Sequence, residues 1–260
     1  MQPDFLHRTF PIIGREGYEI LSNSTIAIAG LGGVGGLAFL TLVRSGIKKF
    51  KITDGGLFDP PDMNRQALAY GKTMDRDKMW IHLEYAKDIN PQIEVTTYEG
   101  GLKPSNAERF IDDADVFIRA MDYGRDSLAK EIATNCAYDK GIPMIQGLTA
   151  GMASVLHCYK KGGMTSHEFW NILKTRRDLS IKYMYGEEIA DRCNEAWECD
   201  GTNPSSAIGA NMASIMVASE TLLYLLRNTQ IVDRPVIYAP NFVVFNPFKM
   251  EMNILDITEL

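Results

Sequence analysis

The stretch STIAIAGLGGVG, residues 24–35, runs from a short apolar segment into a cluster of glycines. Residues 24–30 are apolar, in part β-branched, and end in glycine, which is typical of a buried parallel strand. Residues 33–45 then have the spacing of a helix, and Gly46 is its end signal. A strand, a glycine-rich turn and a helix in this order predict the opening unit of an α/β domain.

Beyond this unit the chain repeats the same alternation. Further strands are predicted at 48–54, 93–98, 114–120, 142–146 and 155–159, and further helices at 75–90 and 127–140. Towards the carboxyl end follow a long apolar helix at 208–227 and three strand-like runs at 235–239, 242–245 and 250–257. This order predicts a Rossmann-like, doubly wound and mainly parallel sheet with helices on both faces. The last runs are expected to add an antiparallel extension.

The domain organisation is expected to be simple. Residues 1–22 read as a helical lead-in that is interrupted near Pro11 and Gly14. Residues 160–203 mix charges, glycines and aromatic residues without clear periodicity, so we expect a long crossing segment with partial helix. No break in composition indicates a second domain. Residues 1–260 are therefore predicted to form a single domain.

Composition limits the classes of function. The 260 residues are 45% hydrophobic, with a net charge of -6 and a pI near 5.3, which disfavours a DNA-binding surface. The four cysteines form no CxxC pair, so no structural zinc is expected. The amino terminus lacks the pattern of a secretory signal, and we expect a cytoplasmic protein. Asn211 and Glu220 within the apolar helix favour a core or interface helix over a membrane span.

The glycine cluster predicts nucleotide binding. Gly30, Gly32, Gly33 and Gly35 permit a tight turn and a close approach of phosphate to the helix amino terminus. Asp54 ends the second predicted strand, where a carboxylate accepts hydrogen bonds from ribose hydroxyls. Up to this point NAD, FAD and ATP all remain possible ligands.

Residues further along distinguish between these ligands. In chain order they are Asp62, Asn64, Arg65, Gln66, Lys78 and Asp122. With this series the chain resembles the ThiF/MoeB/ubiquitin-activating enzyme superfamily, in which a GxGGxG loop, a strand-ending acid, an NRQ segment, a lysine and an aspartate occur in this order. The resemblance covers residues 5–155 closely and 205–227 loosely.

The resemblance implies an ATP- and Mg²⁺-dependent adenylyltransferase of the ThiF type. Arg65 and Lys78 would hold the polyphosphate and offset the charge that develops on the leaving group. Asp122 would hold Mg²⁺ at the carboxyl end of the sheet. Arg8 would reach the phosphates, often from the partner subunit of a homodimer. Asn64 and Gln66 would orient the nucleotide or support Arg65.

Several positions depart from the family pattern. Gly56 stands where a second acid is common, Tyr123 where asparagine commonly follows the metal-binding aspartate, and Asp62 where the first asparagine of N-x-N-R-Q forms stands. Cys193 and Cys199 lie in the region where many relatives carry a cysteine that accepts the acyl group. Their acidic neighbours disfavour a reactive thiolate, so a structural role is preferred for both.

The expected reaction is activation of a carboxylate as an acyl-adenylate with release of pyrophosphate. The substrate would be the carboxyl terminus of a small ubiquitin-like or sulfur-carrier protein, or a peptide. The chain length also resembles relatives that dehydrate a tRNA nucleoside with ATP. Two further alternatives remain: an NAD-dependent oxidoreductase and a non-catalytic nucleotide-binding scaffold.

Overall fold

In the computed structural model, which describes residues 3–121, 127–176, 187–200 and 204–259, the strands form one eight-stranded sheet. The strands are β1 (Thr25–Ala29), β2 (Lys49–Thr53), β3 (Glu94–Thr97), β4 (Val116–Arg119), β5 (Met144–Ala150), β6 (Ala153–Tyr159), β7 (Asn241–Asn246) and β8 (Glu251–Asp256). Their order is β3-β2-β1-β4-β5-β6-β7-β8. The first five in this order are parallel, and β6 to β8 continue the sheet with antiparallel pairings. The predicted fold class is confirmed.

Helices cover both faces of this sheet. They are α1 (Phe10–Asn23), α2 (Gly35–Arg44), α3 (Lys78–Ile89), α4 (Ala107–Ile111), α5 (Ser127–Lys140), α6 (Ser166–Thr175), α7 (Glu187–Asp200) and α8 (Ala207–Leu226). Alternate residues of β1 point to opposite faces because strand side chains have a period of two. Ile26 and Ile28 lie in the core with α1, α2, α3 and α8. Ala27 and Ala29 lie in the core with α4, α5 and α6.

The apolar helix α8 is a central packing element. It contacts β5, β6, α1 and α2. Among the described residues it is the one helix long and apolar enough to cross a membrane, but 56% of its apolar window is buried inside the protein. Glu220, within this helix, is 1% exposed and pairs with Arg234, whose Nη2 lies 2.7 Å from Glu220 Oε2. This packing is that of a core helix, as its polar residues predict.

Three details differ from the sequence-based expectation. Residues 235–239 form no strand; Tyr238 makes only an isolated bridge to Cys158. Pro235 opens this run and Pro240 follows it, and proline has no amide hydrogen for a strand ladder. The short helix α4 was not predicted. In the lead-in, Gly14 adopts a φ of 64° and kinks α1, whereas Pro11 sits in the first turn and does not interrupt it.

Candidate functional site

The glycine loop follows β1 and leads into α2. Gly30 has a φ of 92°, in the left-handed region, and a Cβ there would lie 2.7 Å from the carbonyl carbon of Ala120. A Cβ on Gly35 would overlap the carbonyl oxygen of Gly30 and lie 2.8 Å from Ala120 Cβ. A Cβ on Gly32, by contrast, has Gln66 Nε2 at 3.6 Å as its nearest neighbour. Gly30 and Gly35 are therefore required by the fold itself, and Gly32 is not.

Asp54 connects the end of β2 to this loop. Its Oδ2 accepts a hydrogen bond from the Leu31 N–H at 2.6 Å, and its Oδ1 accepts one from the Gly56 N–H at 2.7 Å. Burial raises the pKa of Asp54, and the two backbone hydrogen bonds and the charge of Lys78 oppose that rise. Besides the ribose contact that the sequence predicts for it, the carboxylate thus fixes the position of the loop.

A buried acid lies between the two predicted phosphate-binding cations. Asp62 is 5% exposed and ends up there because a short 3₁₀ helix, Pro60–Asn64, turns it inward. Lys78 Nζ lies 2.8 Å from Asp62 Oδ2, and Arg65 Nη2 lies 3.6 Å from Asp62 Oδ1. Gln66 Nε2 also donates to Asp62 Oδ1. The structure therefore brings Arg65, Gln66 and Lys78 together around one carboxylate.

Lys78 is held at the start of α3. Asp77 caps this helix by accepting a hydrogen bond from the Trp80 N–H at 3.0 Å. The Lys78 N–H donates to the Gly56 carbonyl at 3.0 Å, and the ammonium lies 5.7 Å from the centroid of the Phe58 ring. The Lys78 side chain is 14% exposed, so its ammonium group is largely buried but still reaches solvent.

Arg65 packs against the glycine loop. A Cβ on Gly33 would lie 3.3 Å from Arg65 Cγ. The guanidinium donates through Nη1 to Asn64 Oδ1 at 2.8 Å and to the Pro61 carbonyl at 3.0 Å. Asn64 in turn donates to the Ser205 carbonyl at 3.1 Å, just before α8. Arg65 thus contacts the glycine loop directly and is linked through Asn64 to the residue just before α8.

Two contributions to the site have weak or no sequence signals. Ser214 of α8 is fully buried, and its hydroxyl lies 3.1 Å from the Gly33 carbonyl and 2.9 Å from the Val34 carbonyl. No motif contains it. Asp62 was visible only as a departure from the family pattern, although an acid three residues before an arginine is a spacing that permits an ion pair.

Four predicted site residues remain to be placed: Asp122, Arg8, Cys193 and Cys199. Asp122 and Tyr123 lie outside the described residues. Arg8 is exposed just before α1. Cys193 and Cys199 lie on α7, the first half-buried and the second exposed. Within the part of the chain that the structure describes, no three histidine, cysteine or acidic residues form a group able to hold a metal.

Comparison with known proteins gives consistent matches. The model of the ThiF family matches residues 6–259. The chain is 37% identical over 178 residues to tRNA threonylcarbamoyladenosine dehydratase from Bacillus subtilis, covering 65% of this chain and 63% of the relative. It is 28% identical over 146 residues to the vegetative protein HesA of Trichormus variabilis, covering 56% of this chain and 54% of the relative. The chain thus spans less than two thirds of either relative.

A solved structure extends the likeness of fold. The structure of Escherichia coli MccB with ATP superimposes with a TM-score of 0.74, covering 99% of this chain and 72% of that one. Sequence identity in this comparison is 13%, so it concerns the fold alone.

Proposed function

The chain belongs to the ThiF family, and from this membership we propose that it binds ATP over the glycine loop and transfers the adenylyl group to a carboxylate. One observation carries the proposal: Arg65, which packs against Gly33 of the loop, and Lys78 converge on one carboxylate, and the two cations would together hold a polyphosphate. Gly32 is compatible with such a ligand, since a Cβ there would make only ordinary van der Waals contacts, with Gln66 Nε2 at 3.6 Å as the nearest atom beyond the adjacent residues. NAD-dependent hydride transfer gives no reason for two cations at this point.

The residues suggest how the reaction proceeds. ATP supplies the α-phosphorus, which a carboxylate oxygen attacks while the bond to the β-phosphate breaks and pyrophosphate leaves with the electron pair. Lys78 and Arg65 offset the charge that grows on the leaving group. Asp54 holds the loop through the Leu31 N–H and so fixes the distance between loop and cations. In this proposal Asp122 would hold Mg²⁺, as the family resemblance implies, and the ion would offset phosphate charge.

Two carboxylates are candidates for the acceptor. The first is the carboxyl terminus of a small ubiquitin-like or sulfur-carrier protein, or of a peptide. The second is the carboxylate of a threonylcarbamoyl group on a tRNA nucleoside, which the 37% identity to the Bacillus subtilis dehydratase favours. The same adenylylation serves both. Arg8 is exposed before α1, as a residue that reaches into a second copy of a homodimer would be.

Exchange of radiolabelled pyrophosphate into ATP tests the proposal. We expect exchange in the presence of one of the two acceptor classes and a loss of about a hundredfold in Lys78→Met, because the cation offsets leaving-group charge. Lys87→Met is the matched control, since Lys87 is exposed on the same helix. Exchange that is equal in Lys78→Met and the wild type would refute the role of Lys78, and no exchange with either acceptor would refute the reaction.

A further inference from the structure

Asp62 is an internal anion built into the cation site. Each carboxylate oxygen has two donors around it. Oδ2 faces Lys78 Nζ at 2.8 Å and the Asp59 N–H at 3.2 Å, and Oδ1 faces Gln66 Nε2 and, at 3.6 Å, Arg65 Nη2. Its side chain is 7% exposed, so water screens these interactions little. The two cations are therefore already partly neutralised before any phosphate arrives.

The charge of this group has a direct effect on anion binding. Arg65, Lys78 and Asp62 together carry a net charge of +1, whereas the same group with asparagine at position 62 would carry +2. Pyrophosphate and ATP are both attracted by this charge, and adenosine is not. A site that holds pyrophosphate too firmly retains the product of the first step, so an internal anion favours its release.

We propose that Asp62 is a positioning residue that orients Lys78 and Gln66 and lowers the affinity of the site for pyrophosphate. The inference rests on the proposed function and specifies how the same site releases its first product. It concerns the position where this chain has an acid in place of the asparagine of N-x-N-R-Q forms. The carboxylate acts through the cations and touches no reacting atom.

Asparagine at position 62 is a well-matched probe because the site can accommodate its amide. Gln66 Oε1 is buried and has no hydrogen-bond partner among the described residues. A rotation of the Gln66 amide by half a turn would present Oε1 to the new Nδ2 of the asparagine. The asparagine Oδ1 would still accept from Lys78 and the Asp59 N–H. The substitution thus removes one charge and leaves the packing volume unchanged.

Isothermal titration with inorganic pyrophosphate, ATP and adenosine tests the inference. In Asp62→Asn we expect the Kd for pyrophosphate and for ATP to fall about tenfold, from removal of one nearby negative charge. The Kd for adenosine should not change, which a purely structural role of Asp62 would not predict. Asp88→Asn is the control, because it makes the same change of net charge at an exposed position near the other end of α3. We expect it to bind all three as the wild type does.

The outcomes separate this inference from the proposed function. If the wild type binds ATP and exchanges pyrophosphate but Asp62→Asn leaves the pyrophosphate Kd unchanged or raises it, the role of Asp62 is refuted and the function stands. If the wild type binds neither ATP nor pyrophosphate, both are refuted. Where Asp62→Asn does not melt cooperatively, Asp62→Ser replaces it, because it removes the same charge with a smaller polar side chain. The same tenfold change is expected.

Discussion

At the scale of single residues, the glycine loop combines two physical requirements. Gly35 is needed by the protein, since a side chain there would overlap the Gly30 carbonyl oxygen. Gly32 meets only ordinary van der Waals contacts, with Gln66 Nε2 at 3.6 Å. A Cβ at Gly32 would therefore affect mainly a ligand that approaches the loop. A glycine-to-alanine substitution at position 35 therefore tests folding, and the same substitution at position 32 tests ligand binding.

We predict that Gly35→Ala lowers the free energy of unfolding by about 2 kcal/mol or more, because the overlap with backbone forces the loop to shift. Gly32→Ala should keep the free energy of unfolding within about 0.5 kcal/mol of the wild type. It should nevertheless weaken ATP binding about tenfold or more, since the added methyl occupies space at the phosphates. Urea denaturation and titration with ATP measure the two effects. Equal stability of Gly35→Ala and Gly32→Ala would contradict this assignment.

At the scale of elements, α8 supports the loop from behind. Ser214 is buried at the contact of α8 with α2, and its hydroxyl faces the carbonyls of Gly33, Val34 and Ala210. Ser206 caps the same helix by accepting a hydrogen bond from the Gly209 N–H. Because the hydroxyl has a single hydrogen, these carbonyls share one donor. The helix therefore contributes polar contacts to the loop as well as apolar packing.

We expect Ser214→Ala to reduce the free energy of unfolding by about 1 kcal/mol, because buried carbonyls then lose a donor. The carbonyls of Gly33 and Val34 would also lose their hydrogen bond to α8, so ATP binding should weaken several-fold. Ser219→Ala is the control on the same helix, at an exposed position. Chemical denaturation and ATP titration provide the measurements. A Ser214→Ala protein as stable as Ser219→Ala would rule out a supporting role of the hydroxyl.

At the scale of the whole molecule, each face of the sheet contains a buried histidine. His82 packs beside Phe58 and α2 on one face, and burial lowers its pKa to about 4. His157 stacks on Phe169 on the other face, with ring centroids 5.0 Å apart, and burial together with the charge of Arg119 lowers its pKa to about 3. Both are therefore neutral in the folded protein at pH values where the unfolded chain protonates them.

The sign of the resulting pH dependence follows from these pKa values. The folded pKa lies below the unfolded value of 6.5, so the contribution is complete above pH 6.5 and is lost as the pH falls towards 4. Each histidine then removes roughly 1.4 kcal/mol of stability per pH unit. Between pH 5.5 and 4.5 we predict that the free energy of unfolding of His157→Phe falls less steeply than that of the wild type. The slopes should differ by roughly 1.4 kcal/mol per pH unit. His167→Asn, exposed on α6, should keep the wild-type slope in urea denaturation at these pH values.

The order of elements was available from the sequence because it depends on local patterns. The run STIAIAG, the helix after the glycines and the alternation beyond them correctly predicted β1, α2 and the parallel half of the sheet. The strand expected at 235–239 does not form: these residues are apolar like a strand, but Pro235 opens the run and Pro240 follows it, and neither has an amide hydrogen for a ladder. Helix α4 was missed because five residues are too short for a clear helical period.

The sequence by itself determined which residue types are present for the proposed phosphate chemistry and in what order: the glycines, Asp54, Arg65 and Lys78. Only the tertiary structure decided that Asp62 lies buried between the two cations and that Ser214 of α8 faces the loop. Periodicity and motif spacing report local geometry, which a few neighbouring residues fix. The pairing of charged side chains and their exposure to solvent depend on how distant segments of the chain pack. The electrostatic balance of the site follows from that packing.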